Sequence, residues 1–179
     1  MLEILNAPNP ILSAKAKSVV KIDKTLHALL EEMKISLESA SDPVGVGLAA
    51  PQIGKSLKIF IAKPSFKSEV YTFINPKIIK TAKKEKADES KTKKLEGCLS
   101  LRNIWGEVKR YQQIVLEYQD ENGIKHKKKF TGFMSTIIQH EMDHLQGILF
   151  PKRVLEQKGI LYKSEKDEKG EDVFEEIKV

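Results

Sequence analysis

His140, Glu141 and His144 fall in the run His140-Glu141-Met142-Asp143-His144. Two imidazoles four residues apart on a helix project from one face and can grip one divalent metal, and the glutamate beside the first can serve as a general base. A catalytic site of this kind wants a third protein ligand. Gly147 stands where the extended metallopeptidase pattern has its glycine, but the histidine that this pattern places three residues later is Phe150 here. The run lies in an apolar segment, where two histidines and a carboxylate are costly to bury without a metal or partners. Asp143 faces another side of the helix and is expected to be solvated or to support the ligands from behind.

The sole cysteine, Cys98, sits in "LEGCLSL" at 95–101. A lone cysteine is by default a small buried hydrophobe. Here Gly97 lets the backbone approach something closely, and the segment ends a polar loop, where functional groups concentrate. A metal site with two histidines and one ligand missing is the best use for this thiolate. A nucleophilic cysteine is the competing reading. It would need a histidine free to act as base, and the remaining His27 and His126 lie on a helix and a lysine-rich strand.

A third stretch, "GVGLAAPQIG" at 45–54, formally matches the dinucleotide pattern G-x-G-x-x-A. That pattern needs a strand before it and a helix after it, whereas a helix precedes this one and Pro51 follows. The glycines are better read as bringing backbone close to a bound peptide, with Gln52 pointing an amide N–H into the site as a fixed donor. A tight loop without chemistry is the plain alternative.

The elements that must carry these groups follow from periodicity. Asp23 is placed to cap a helix over 24–40, in which Leu26, Leu29, Leu30, Met33 and Leu37 recur at helical spacing. Pro43, Gly45 and Gly47 break it. "LKIFIAK" at 57–63 and "VYTFIN" at 70–75 read as strands, and "IVLEYQDENGIKHKKKF" as a hairpin about Asn122-Gly123. A core helix over 132–146 then carries both histidines, with Gly147 as its C-terminal cap. From Lys163 onward four lysines stand against seven acidic residues, so 163–179 is expected to be a solvated, fraying tail with a short amphipathic end at Val173, Phe174 and Ile177. The pattern predicts an α+β fold with one catalytic domain over 1–162.

At 179 residues, with 40% hydrophobic and 31% charged residues, the chain suits one soluble domain. No apolar run is long enough to span a bilayer and no secretion signal opens the sequence, so a cytoplasmic location and no membrane partner are expected. One cysteine excludes an internal disulfide and fits a reducing compartment. The net charge of +6 raises the question of nucleic acid. The lysines at 77–94 and 127–129 have no interleaved aromatics, so they read as solvated faces rather than a specific nucleic-acid site.

Taken together, "GVGLAAPQ" at 45–52, "EGCLS" at 96–100 and "QHEMDH" at 139–144 resemble, in order and spacing, the three motifs of the peptide deformylases. The likeness covers roughly residues 1–155. It implies a metallohydrolase that removes the N-formyl group from the initiator methionine of nascent polypeptides, releasing formate. By resemblance Cys98, His140 and His144 bind one divalent metal, with water in the fourth position. Metal-bound water then attacks the formyl carbon, and Glu141 is the general acid/base. The side-chain amide of Gln52 and the backbone N–H of Leu99 donate to the oxyanion. Val46, Gly47, Glu96, Gly97, Leu99 and Ile137 match family positions around the methionine pocket or substrate backbone. The family uses Fe(II), with zinc, nickel or cobalt able to substitute. A monomer, nascent formylmethionyl peptides as partners and transient ribosome association are the corresponding expectations, and the fold sharpens to mostly antiparallel mixed sheets around the helix at 132–146.

Three departures stand out. Arg102 replaces a proline frequent in the family, leaving the path of "LRNIWGEV" and the place of Trp105 open. "SDPV" at 41–44 differs from the usual acidic lead-in. The acidic tail does not resemble the basic C-terminal helix by which some members dock on the ribosome. The rivals are a zinc peptidase with Glu165 or Glu168 as third ligand, and a protein with a purely structural metal; the second would need a fourth protein ligand, and none stands near these three in the sequence.

Overall fold

The computed structural model describes residues 2–41, 43–84 and 95–178, and the side chains of Lys83 and Lys84 are not described. The lysine cluster at 77–94 therefore falls partly outside the described residues, as does Asp42 of the lead-in.

Helix α1 (Lys24–Ser39) starts where Asp23 accepts hydrogen bonds from the backbone N–H groups of Thr25 and Leu26. An aspartate there satisfies amides that the first helical turn leaves unpaired. Strands β1 (Gly47–Ala49), β2 (Ile59–Ala62), β3 (Tyr71–Lys84), β6 (Tyr111–Gln119) and β7 (Lys125–Thr131) form a five-stranded antiparallel sheet in the order β1-β2-β3-β6-β7. Its two faces carry different partners. Leu26, Leu30, Met33 and Leu37 of α1 pack with Ile59, Ile61 and Ile74, while Phe60, Ala62, Phe73, Ile114 and Leu116 pack with Ile137, Ile138 and Leu145 of helix α2 (Gly132–Leu145). A strand covered on both faces must be apolar at every position, which accounts for the unbroken "IFIA" of β2. In β6, covered on one face only, buried Ile114, Leu116 and Tyr118 alternate with more exposed residues.

A second antiparallel sheet, in the order β4-β5-β8-β9, is built from β4 (Glu96–Cys98), β5 (Leu101–Gly106), β8 (Leu161–Lys166) and β9 (Asp172–Ile177). Helix α3 (Phe150–Glu156) packs on it through Phe150 and Val154. The fold is thus α+β with antiparallel sheets.

This second sheet corrects one expectation. Residues 161–177 are a β-hairpin whose first strand pairs with β5 at Ile104↔Lys163, Trp105↔Tyr162 and Gly106↔Leu161. Most of its side chains are exposed, so composition reads it as a tail. Backbone pairing, together with Leu161, Ser164 and Ile177 turned inward, holds it as a strand pair. Among the described residues no helix is long and apolar enough to cross a membrane.

Candidate metal centre and active site

Helix α2 is pinned at the level of its first histidine. Gln139 accepts from Tyr111 N–H and donates to Tyr111 O, clasping the start of β6 from both sides. At the far end Gly147, with φ of +70°, turns the chain where a Cβ would strike the backbone of Ser13 and Ala14.

The helix therefore presents His140 and His144 toward β4, which brings Cys98. The Cys98 Sγ lies 3.3 Å from His144 Nε2, and one ligand atom from each of Cys98, His140 and His144 falls within 4.8 Å of the other two. Tetrahedral ligands held at ordinary metal–nitrogen and metal–sulfur lengths sit about 3.5 Å apart, so the triplet is close to the spacing that one ion requires. It is the metal-capable cluster of histidine, cysteine and carboxylate groups among the described residues. Glu165 and Glu168, the rival third ligands, are exposed, and Glu165 pairs with Lys163.

Of the two histidines, His140 is held from behind, whereas His144 Nδ1 is buried without a hydrogen-bond partner among the described residues. His140 Nδ1 lies 3.1 Å from Glu96 Oε2, which leaves Nε2 for the cluster. Glu96 in turn receives a bidentate grip from Arg110, at 2.8 and 2.9 Å. The third guanidinium nitrogen of Arg110 donates to Asp143 at 2.7 Å, and Arg153 donates to the other side of Asp143. Asp143 is buried in this chain of charges, so of the two readings its helical position left open, solvated or supporting the ligands from behind, the structure takes the second. Burial works to raise the Glu96 pKa, but Arg110 and His140 overcome it and hold the carboxyl down at about 2. Burial also opposes the charge on Arg110, and Glu96 and Asp143 outweigh it. Arg110 and Arg153 were not singled out in the sequence; nothing local marks an arginine that the fold will bury.

Glu141 is buried, and its Oε2 has no hydrogen-bond partner among the described residues. Desolvation pushes its pKa up to about 7, with Glu96 adding and His140 and Arg110 opposing. A Cβ on Gly47 would run into the Glu141 carboxylate and come 3.0 Å from Ile137 Cγ2, so β1 can lie this close to the helix only with glycine at that position. Gln52 is fixed at both ends: its Oε1 accepts from Ala49 N–H at 2.8 Å, while its Nε2 donates to Ser100 Oγ at 3.2 Å and lies 3.7 Å from Cys98 Sγ.

Gly47, Gln52, Glu96, Cys98, His140 and Glu141 line one cavity of about 670 Å³, which also touches Val46, Gly97, Leu99, Ile137 and the exposed Val44 and Phe133. Trp105, whose place the sequence left open, is part of the wall; Arg102 is exposed on β5. His27 and His126 lie elsewhere, on α1 and β7, the latter paired with Asp120. A Cys–His–His triplet beside a carboxylate with one oxygen left unpartnered among the described residues can hold a borderline-soft divalent ion and move a proton next to it.

The polypeptide deformylase family profile matches residues 1–159. A peptide deformylase from Symbiobacterium thermophilum is 36% identical over 172 residues, covering 96% of this chain and 75% of the relative. One from Dictyoglomus turgidum is 36% identical, covering 88% of this chain and 95% of the relative. Among solved structures, the peptide deformylase of Thermus thermophilus superposes with a TM-score of 0.77 at 36% identity, covering 88% of each chain. That of Synechococcus elongatus, solved in complex with actinonin, gives 0.76 at 34% identity, covering 85% of this chain and 78% of its own.

Proposed function

Since the chain belongs to the polypeptide deformylase family, and so is a hydrolase acting on formyl-methionyl peptides, we propose that Glu141 is the proton carrier of the reaction and that Cys98, His140 and His144 hold its metal. The observation that carries this reading is the Glu141 Oε2, buried without a hydrogen-bond partner beside three ligand atoms that lie within 4.8 Å of one another. A thiolate and two imidazoles suit Fe(II), the ion expected in the cell, and also zinc, nickel or cobalt. When bound, such an ion would polarise the formyl oxygen and make a water acidic enough to attack near neutral pH.

The chain's own groups account for the rest. Glu141 takes the proton that the attacking water loses and passes it to the leaving nitrogen as the formyl C–N bond breaks. Formate and a free α-amine result. A carboxyl poised near 7 can both accept and release a proton at neutral pH. The oxyanion that forms at the formyl carbon is met by Gln52 Nε2, whose orientation is already set by Ala49 N–H, and by the backbone N–H of Leu99. The methionine side chain, flexible and apolar, is selected by the lining at Val46, Gly97, Leu99 and Ile137, and Glu96 keeps His140 oriented. Because β1 is an edge strand whose Gly47 lines the cavity, the peptide is taken to lie extended beside 45–47 as an added strand.

A cytoplasmic monomer that meets its substrate at the ribosome belongs to the same reading. With four lysines against seven acids, residues 163–179 argue against docking through that segment.

The test is to purify the chain without oxygen, load it with Fe(II) or Ni(II), and offer formyl-Met-Ala-Ser. Formate released with the peptide bonds intact, and lost in Glu141→Ala, is expected. Peptide-bond cleavage without formate, or tightly held metal with no reaction, would overturn the reading.

A further inference from the structure

The C-terminal hairpin does more than extend the second sheet. Trp105, on β5, forms part of the cavity wall, and two residues of the hairpin hold its ring. The indole Nε1–H donates to Ser164 Oγ at 2.9 Å, and Ser164 is buried. Phe174 meets the ring edge-on, with centroids 5.8 Å apart and planes at 86°. The six-membered ring of the indole also lies against Gly97, where a Cβ would come 2.8 Å from it. Gly97 precedes Cys98 and is the cross-strand partner of Trp105, so the ring spans the distance from the metal-capable cluster to the hairpin.

From this we infer that Trp105 is a wall of the peptide-binding cleft, which contacts substrate residues beyond the formylmethionine, and that Ser164 and Phe174 are positioning residues acting through it. Four observations support the inference. A cavity of about 670 Å³ is the size that takes a drug-sized ligand, more than one residue requires. The indole N–H has a partner and the ring meets Phe174 at near right angles, so one orientation is selected. The hairpin, at 161–177, supplies both contacts from beyond residues 1–159, the span that the family profile matches. Phe174 is 42% exposed, more than a residue kept for core packing alone would be. The occupant is an extended peptide whose second or third residue offers an apolar surface to the indole.

This inference rests on the deformylase reading of the site, and its test must fail separately from that reading. Trp105 is the only tryptophan of the chain, so its emission reports on this wall alone. The metal-loaded full chain is titrated with the deformylated product peptide Met-Ala-Ser, following tryptophan fluorescence, and steady-state formate release is measured in parallel. A saturable emission change is expected. Ser164→Ala and Phe174→Ala should each raise KM by about two- to tenfold, the loss of roughly one aromatic or hydrogen-bonding contact, with kcat changed much less. Ser164→Thr and Phe174→Tyr, which keep the hydroxyl and the ring, should recover most of the affinity and guard against a folding defect in the alanine variants. Emission that does not move with peptide, or an unchanged KM in both Ser164→Ala and Trp105→Phe, would overturn the inference. Emission that moves with peptide while the unaltered chain releases no formate would uphold the wall and overturn the reaction.

Discussion

Two regions of this molecule are laced with ion pairs, and they differ in what surrounds those pairs. Around the metal-capable cluster, Arg110 links Glu96 to Asp143 and Asp143 reaches Arg153, with Glu96, Asp143 and Arg110 almost wholly out of solvent. On the C-terminal hairpin, Lys163–Glu165 and Lys166–Asp172 sit in the open. Exposed pairs gain little, because water and salt screen them and two long side chains must be immobilised. Buried pairs are no guarantee of stability either, but removing one partner strands the other in a medium that cannot solvate it. The buried network therefore orients His140, through Glu96, at high stakes, whereas the surface pairs add little to the hairpin.

The sharpest way to break the comparison is at the metal-capable cluster. On the proposed reading Glu141→Gln, nearly the same in shape, should lower kcat/KM by about 10²- to 10⁴-fold while leaving metal content intact, since it would remove the proton carrier but no ligand. Metal analysis beside formate release checks this. Next in size, Arg110→Met leaves two buried carboxylates without their shared cation and should destabilise the chain by about 3–5 kcal/mol in urea unfolding. Glu96→Gln, which unties His140 without removing it, should weaken metal affinity by about ten- to a hundredfold in competition with a chelator.

A pH series sharpens the contrast further. Glu96 and Glu165 are both held below the ordinary carboxyl range, Glu96 by Arg110 and His140 against a desolvation cost, Glu165 by Lys163. A carboxyl depressed in the folded state contributes stability that is fully present above its unfolded pKa and is lost as the pH falls through its folded one. For Glu96 that window runs from about 4.5 down to about 2. Urea midpoints across this range should fall less steeply in Glu96→Gln, and the difference should survive 1 M salt, whereas any difference made by Glu165→Gln should vanish there. The smallest effect is expected from Lys166→Ala, under about 1 kcal/mol.

Much of the helix and hairpin layout was legible. The α1 stripe, its Asp23 cap, the Asn122-Gly123 turn and the Gly147 stop are local signals, each written in a few neighbouring residues. The hairpin at 161–177 was not, because its inward positions are few and its charge resembles that of a solvated tail. Arg110 and Arg153 were invisible for a related reason: an arginine's role depends on which carboxylates the fold brings to it, and those lie 10 to 33 residues away along the chain.

By itself the sequence determined which atoms were available for chemistry and which of them share a helix face. His140 and His144 must project together because they are four residues apart, and Gly47, Gly97 and Gln52 are chosen by type. Only the tertiary structure decided that Cys98, 42 residues before His140 in the chain, closes on that face; that Arg110 locks Glu96 behind His140; and that a charged C-terminal segment becomes the brace of Trp105. The physical reason is range. Capping, turn and helical periodicity act over a few residues, while a ligand triplet and a buried charge network exist only when packing brings distant strands against one helix.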